Sequence, residues 1–293
     1  MSRLLILLLR LQAMLPYALQ RRIGNAVGSL LHVIVAGRRH VVRRNLELCF
    51  PDRPSDERRR LERAHFQAWA RAFLDRGLLW FASPQRLARL IRAEGLEHLE
   101  AAMPDVTGKP LLIVVPHFVG LDAGGVDYSR RHAGVSMYAE QSDPVLDAQL
   151  RAGRARFNAP VLVTRSDGIR PVLRAMKRGL PYFVLPDMDL GVSDAVFAGF
   201  FGVPTATVTV VPKLARLASA NVIALVTTFD PSGAGYVARY WPMWTDFPGH
   251  DDDAAATQRM NDFIEARVRE TPDQYYWVHR RFKTRPEGEP SLY

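Results

Sequence analysis

The chain opens on an apolar run from Leu4 to Leu19, broken by Arg10, Gln12 and Pro16, and resumes after Arg21 and Arg22 with a second apolar stretch from Ile23 to Ala36. Arg38, Arg39, Arg43 and Arg44 close it. A bilayer-spanning helix needs roughly 20 apolar residues in succession; neither run supplies them. Apolar segments flanked by arginines predict helices that anchor against anionic lipid, with spanning and interfacial placement both open. An ordinary buried helix pair is the alternative. No small-residue cleavage site follows the first run, so a removable signal peptide is not expected.

Further on, Leu61, Phe66, Trp69, Phe73, Leu74 and Leu78 recur at helical spacing, after Ser55 and the acids Asp56 and Glu57 of a helix start. Ser83–Pro84 restarts a second helix, and the region to about residue 105 reads as helical. The pattern then changes. Short apolar runs, "LLIVV" (111–115), "GVSMYA", "PVLV", "PYFVLP" and "NVIALVTTF", alternate with the helix-like "DPVLDAQLRAGRARFN", "GIRPVLRAMKRG" and "TVTVVPKLARLAS". This alternation predicts an α/β fold, a mostly parallel mixed sheet flanked by helices. "GYVARYWPMW" adds an antiparallel candidate strand. A helix is expected from about Asp252 to Arg269, and a helical turn started by Pro272 carries "DQYYWVHRRF". The division expected is 1–37 as an N-terminal membrane anchor, 38–105 as a helical region and 106–293 as the α/β domain.

Composition narrows the function. The 293 residues are 48% hydrophobic, enough for a sizeable core, and hold a single cysteine, Cys49, which excludes an internal disulfide framework and a cysteine-based metal site. The net charge of +9 points to an anionic partner. Arginine richness from base composition is the alternative, but it does not explain the clustering. No nucleic-acid-binding module is visible.

His117 stands one residue past the apolar run "LLIVVP", where ligands of open α/β sheets bind, and Asp122 follows five residues later in "PHFVGLD". Asp122 at a helix start could turn back to the imidazole, fix its tautomer and stabilise the imidazolium formed on taking a proton. Two unrelated turn residues are the alternative, and the spacing alone does not decide. There is no G-x-S-x-G elbow, P-loop, G-x-G-x-x-G, H-E-x-x-H or CxxC, so neither a nucleotide nor a metal is indicated. His32, His40, His65, His98, His132 and His250 are scattered and read as surface or packing residues.

Several segments, taken together, resemble the late acyltransferases of lipid A biosynthesis, the lauroyl/myristoyl group within the glycerophospholipid acyltransferase-like fold. They are "RRHVVRRNLELCFPD", the H-x4-D/E box "PHFVGLD", "DPVLDAQLRAGRARF", "LPDMDLG", "VFAGFFGVPTATVT" and "WVHRRFKTRPEG", spread over nearly the whole chain. The resemblance implies transfer of a fatty acyl group from an acyl carrier protein thioester to a hydroxyl of a 3-hydroxyacyl chain on a lipid A precursor; no cofactor is expected. It implies His117 as the base and Asp122 as its partner. Arg154 carries over as an oxyanion or substrate contact, and Asp187 as a further site residue. Arg281, Lys283 and Arg285 are candidates to meet the phosphates of the lipid through charge-assisted contacts. An exposed helix arginine, a turn residue and a structural ion-pair network are the respective ordinary alternatives. The expected location is the inner membrane of a Gram-negative bacterium, with the catalytic domain facing the cytoplasm and the anchor on anionic lipids.

Two departures from the family pattern remove positive charge. Tyr138-Ala139-Glu140 stands where Y-R-P is common, and "LGVSDA" after "PDMD" carries no basic residue. They leave the reaction class intact and open the question of the acceptor. The same chemistry on another membrane lipid, or a non-enzymatic lipid-binding scaffold, are the competing readings.

Overall fold

The computed structural model describes residues 1–293. Five helices come first: α1 (Ser2–Gln12), α2 (Tyr17–Ile34), α3 (Ala36–Cys49), α4 (Ser55–Phe81) and α5 (Pro84–Leu90). The last begins as its sequence predicts, with Ser83 accepting from the Arg86 N–H at 3.2 Å and proline in the first turn. There follow β1 (Ile91–Glu94), α6 (Leu96–Ala102), α7 (Pro104–Thr107), β2 (Leu111–Val114), α8 (Leu121–Ser129), β3 (Val135–Tyr138), α9 (Pro144–Arg154), β4 (Val161–Thr164), α10 (Arg170–Lys177) and β5 (Tyr182–Val184). The remainder is β6 (Ala195–Phe200), β7 (Val203–Val208), α11 (Val210–Ala218), β8 (Asn221–Phe229), β9 (Tyr236–Tyr240) and α12 (Asp253–Glu270).

The strands form a seven-stranded sheet in the order β1-β9-β8-β2-β5-β3-β4, with β6 and β7 as a separate hairpin. Only β8–β9 is antiparallel in the large sheet; its other neighbours run parallel. The mostly parallel α/β sheet expected from the alternation is therefore present. The run "LLIV" shows why it sits at the centre. Leu112 and Val114 face one core, with α3, α10, α11 and α12, while Leu111 and Ile113 face the other, with α5, α6 and α8. Period-2 alternation with both faces covered requires apolar residues at every position.

The long helix α4 serves both cores, through Phe66 on one side and Ala68, Leu78 and Leu79 on the other. Against it lie α1 and α2, at glycines. A Cβ on Gly77 would collide with the Leu9 carbonyl, and one on Gly24 would meet Arg71 Cγ at 2.6 Å. Close backbone approach thus docks the N-terminal pair onto the body. The outer surface of this pair is not covered. Of seventeen exposed large apolar residues, ten lie within the first 34 positions, among them Leu4, Leu7, Leu8, Leu11 and Met14. No helix is long and apolar enough to cross a membrane.

Three local readings change. The segment 84–105 holds a strand, β1, which pairs parallel with β9; four residues between helices give too short a pattern to read. "TVTVVPKLARLAS" is helical only from Val210, because its first two residues, Thr207 and Val208, complete the β6–β7 hairpin, where Thr205 and Thr207 are buried. After Pro272 the chain is irregular rather than helical. Tyr275 bridges to Phe118, and Trp277 and Phe282 are drawn into the core.

Candidate functional site

His117 follows β2 at the carboxyl edge of the sheet. Its backbone is clamped by the C-terminal segment: the Val119 N–H donates to the Gln274 carbonyl at 2.8 Å, and the Tyr276 N–H to the His117 carbonyl at 2.9 Å. β5 is the adjacent strand, and Asp187 lies three residues beyond its end. One carboxylate oxygen, Oδ2, accepts from the His117 N–H at 2.8 Å, and the other, Oδ1, from Nδ1 at 2.6 Å. Burial pushes the Asp187 carboxyl up, but attraction to His117 and Arg281 outweighs it and holds the group below the usual carboxylate range. An ionised Asp187 can only accept, so Nδ1 carries a proton, and the neutral imidazole held this way has its lone pair on Nε2. The imidazole side chain stays 18% exposed, open to a reactant.

Asp122 does not take the place the spacing suggested. Gly120 and Gly124 press α8 onto β8, where a Cβ at Gly120 would lie 2.6 Å from the Thr227 carbonyl. In that seat Asp122 meets α4 and α9. Arg76 Nε donates to its Oδ2 at 3.0 Å and Arg154 Nη2 to its Oδ1 at 3.3 Å. Burial acts to raise this carboxyl too, and the two guanidinium groups reverse the effect. The expected His117–Asp122 pair is thus replaced by His117–Asp187 and by an Arg76–Asp122–Arg154 bridge. The bridge carries a net positive charge, with Arg76 37% and Arg154 31% exposed. Arg154 is held in place by its own motif. Gly153 packs on the Trp80 indole, and Arg156 donates to the Leu79 and Ala82 carbonyls at the end of α4, both at 2.6 Å.

The C-terminal block is put to another use. Arg281 is 2% exposed and donates to the Ala206 carbonyl and Thr207 Oγ1, both at 2.8 Å. Arg285 is nearly buried, bound to the Pro204 carbonyl and Glu289. Burial turns both away from a lipid phosphate, their Nη atoms bound inside the fold and Nε of each buried without a partner; Lys283 alone of the three is exposed.

The sequence reading missed Arg76, which no motif marks. It also missed His279 and the second aspartate of "PDMD". Asp189 accepts from the Thr284 N–H and hydroxyl at 2.8 and 2.7 Å, while its own N–H donates to His279 Nε2 at 2.9 Å. Burial, helped by Arg281, lowers His279 to about 4, so it stands neutral as an acceptor. Asn45, from "RRNLELCF", donates to the Trp277 and His279 carbonyls, both at 2.8 Å. The motifs therefore converge. Asp187 orients His117, and Asp189 buckles the C-terminal block beneath it. The paired acids two residues apart were the available signal. No group of three or more His, Cys, Asp or Glu side chains could hold a metal.

A family model described as "Bacterial lipid A biosynthesis acyltransferase" matches residues 2–284. The chain is 34% identical to the lipid A biosynthesis lauroyltransferase of Escherichia coli (strain K12), over 95% of this chain and 90% of that protein. It is 34% identical to a lipid A biosynthesis acyltransferase of Haemophilus influenzae, over 95% and 89%. With the lipid A biosynthesis palmitoleoyltransferase of E. coli it shares 31%, over 95% and 90%. The match spans both the N-terminal helices and the His117 edge of the sheet, and the chain belongs to the bacterial lipid A biosynthesis acyltransferase family.

Proposed function

We propose that the protein moves a fatty acyl group from an acyl carrier protein thioester to the hydroxyl of a 3-hydroxyacyl chain on a lipid A precursor. The observation that carries this reading is the grip of Asp187 on His117, which in the neutral imidazole offers Nε2 as an acceptor; the positively charged bridge on Asp122, five residues further along the chain, adds to it. An alcohol is a poor nucleophile at neutral pH. His117 takes its proton as the oxygen attacks the thioester carbon. The C–O bond forms, the carbonyl π pair becomes an oxyanion, and Asp187 stabilises the imidazolium. Arg154 and Arg76 offer the donors that the oxyanion or a nearby phosphate needs. Collapse breaks the C–S bond, and the imidazolium returns its proton to the leaving thiolate. The products are the ester and the free carrier thiol.

The membrane-bound substrate fits an interfacial placement of α1 and α2. Their exposed leucines and the arginines around them suit insertion into the headgroup boundary of an anionic membrane. An inner-membrane, cytoplasm-facing location is part of the same proposal, and relatives from Gram-negative bacteria support it. One observation favours a second acceptor. The segment after Asp189 presents exposed Leu190 and Val192 and no cation, so a lipid with fewer phosphates suits that side of the site.

The test uses purified protein with acyl carrier protein thioester and lipid A precursor. The expected product is heavier by one acyl chain. Unchanged lipid A acylation in a deletion strain, with another lipid losing an acyl chain, gives the acceptor role to that lipid.

A further inference from the structure

Helix α10 has two unlike faces. Val172, Ala175 and Met176 are buried against the core, while Arg170, Arg174, Lys177 and Arg178 form an exposed stripe at helical spacing. Arg165, in the turn after β4, extends it at one end. None of the five is in an ion pair; along the chain, ion-paired cations resume only at Lys213. The nearest acid in sequence, Asp167, is exposed but engaged within its own turn, accepting from the Thr164 N–H at 2.9 Å and its hydroxyl at 2.7 Å. Five unpaired cations repel one another, and burying apolar surface does not require that all be basic.

The stripe begins at the edge of the sheet that carries His117. β2, β5, β3 and β4 are mutually parallel neighbours, so the ends of β4 and β2 share that edge. Three strand spacings of ~4.8 Å separate them by about 14 Å. Arg165 and Arg170 stand there, and the other three lead away along the helix.

We propose that this stripe is the docking surface for the acidic carrier protein that delivers the acyl thioester, an inference that rests on the donor assigned above. Complementary charge steers such an encounter and sets its register, and a carrier bound here is within a few strand widths of His117. A lipid surface is the weaker fit. No exposed large apolar residue lies between Val106 and Leu190, so α10 has no side chain to insert, whereas α1 and α2 have many.

The test is the triple variant Arg174→Glu, Lys177→Glu, Arg178→Glu, assayed with two donors: lauroyl-loaded acyl carrier protein and lauroyl-pantetheine. The expected result is a KM for the loaded carrier raised about tenfold or more, unchanged kcat, loss of the salt sensitivity of the wild-type KM, and an unaltered rate with lauroyl-pantetheine. An unchanged KM for the carrier overturns the proposal. So does an equal loss with both donors, which makes the stripe part of the reaction site. Weakened binding to phosphatidylglycerol vesicles with an unchanged carrier KM assigns the stripe to the membrane instead. If wild-type protein turns over lauroyl-pantetheine but never the loaded carrier, the donor assignment itself fails and the docking surface falls with it.

Discussion

Arg281 and Arg76 both stand close to a carboxylate at the carboxyl edge of the sheet, and they are used in opposite ways. Arg281 is sealed beneath the site, with both Nη atoms bound to Ala206 and Thr207. Arg76 is more than a third exposed and shares Asp122 with Arg154. The block from Trp277 to Arg285 is the more distinctive motif, yet its Arg281 and Arg285 are bound inside the fold, while Arg280 and Lys283 are exposed. The less conspicuous bridge keeps its charge available. A basic residue recognises a ligand only if the fold has left its donors unspent.

The comparison can be broken at either end. The largest effect is expected at the orienting carboxylate. Asp187→Asn should lower kcat by on the order of 10²–10⁴, the range of general-base assistance, with circular dichroism unchanged. Arg281→Met should act through stability instead. Losing two charge-assisted hydrogen bonds in the interior should cost about 3 kcal/mol in urea unfolding, while the protein that remains folded keeps its kcat. A normal unfolding midpoint with lost turnover in Arg281→Met would erase the distinction between floor and site. Arg76→Ala should do the reverse. Turnover efficiency should drop about ten- to a hundredfold, as for a lost charged contact, with stability within about 0.5 kcal/mol, as for a surface change.

The smallest effect lies in acid. Burial lowers both His65 and His279 to about 4 in the folded protein. As pH falls below the ordinary histidine value of about 6.5, the unfolded chain binds protons that the folded chain refuses, so stability falls between about 6.5 and 4. Burial raises Asp75 to about 6, which works the other way over a similar window, but as one group against two. His279→Gln should flatten the loss between about pH 7 and 5 by about 1 kcal/mol, read as the change in urea midpoint.

Much of the fold was legible in the sequence because period and burial coincide. "LLIV" had to be apolar throughout to face two cores, and "NVIALVTTF" forms β8 over the same nine residues. What was not legible depended on partners distant in the chain. His117 announced itself by following a buried strand. Its partner Asp187 is 70 residues away, brought close only because β5 pairs with β2. Asp122, five residues off, was the natural guess, and the glycine-seated α8 turns it toward α4. Arg76 sits in a helix crowded with arginines, and nothing local separates it from those whose donors are used elsewhere. The apolar N-terminal runs predicted a membrane contact without saying how; the helices are exposed along one side and none is of spanning length.

The central claim is that Asp187, and not Asp122, holds the imidazole of His117. A proton on Nδ1 in a 2.6 Å bond to a buried carboxylate should give a downfield ¹⁵N-edited NMR resonance in protein labelled at histidine. This signal should be absent in His117→Gln, lost in Asp187→Asn and retained in Asp122→Asn. Retention in Asp187→Asn together with loss in Asp122→Asn would contradict it.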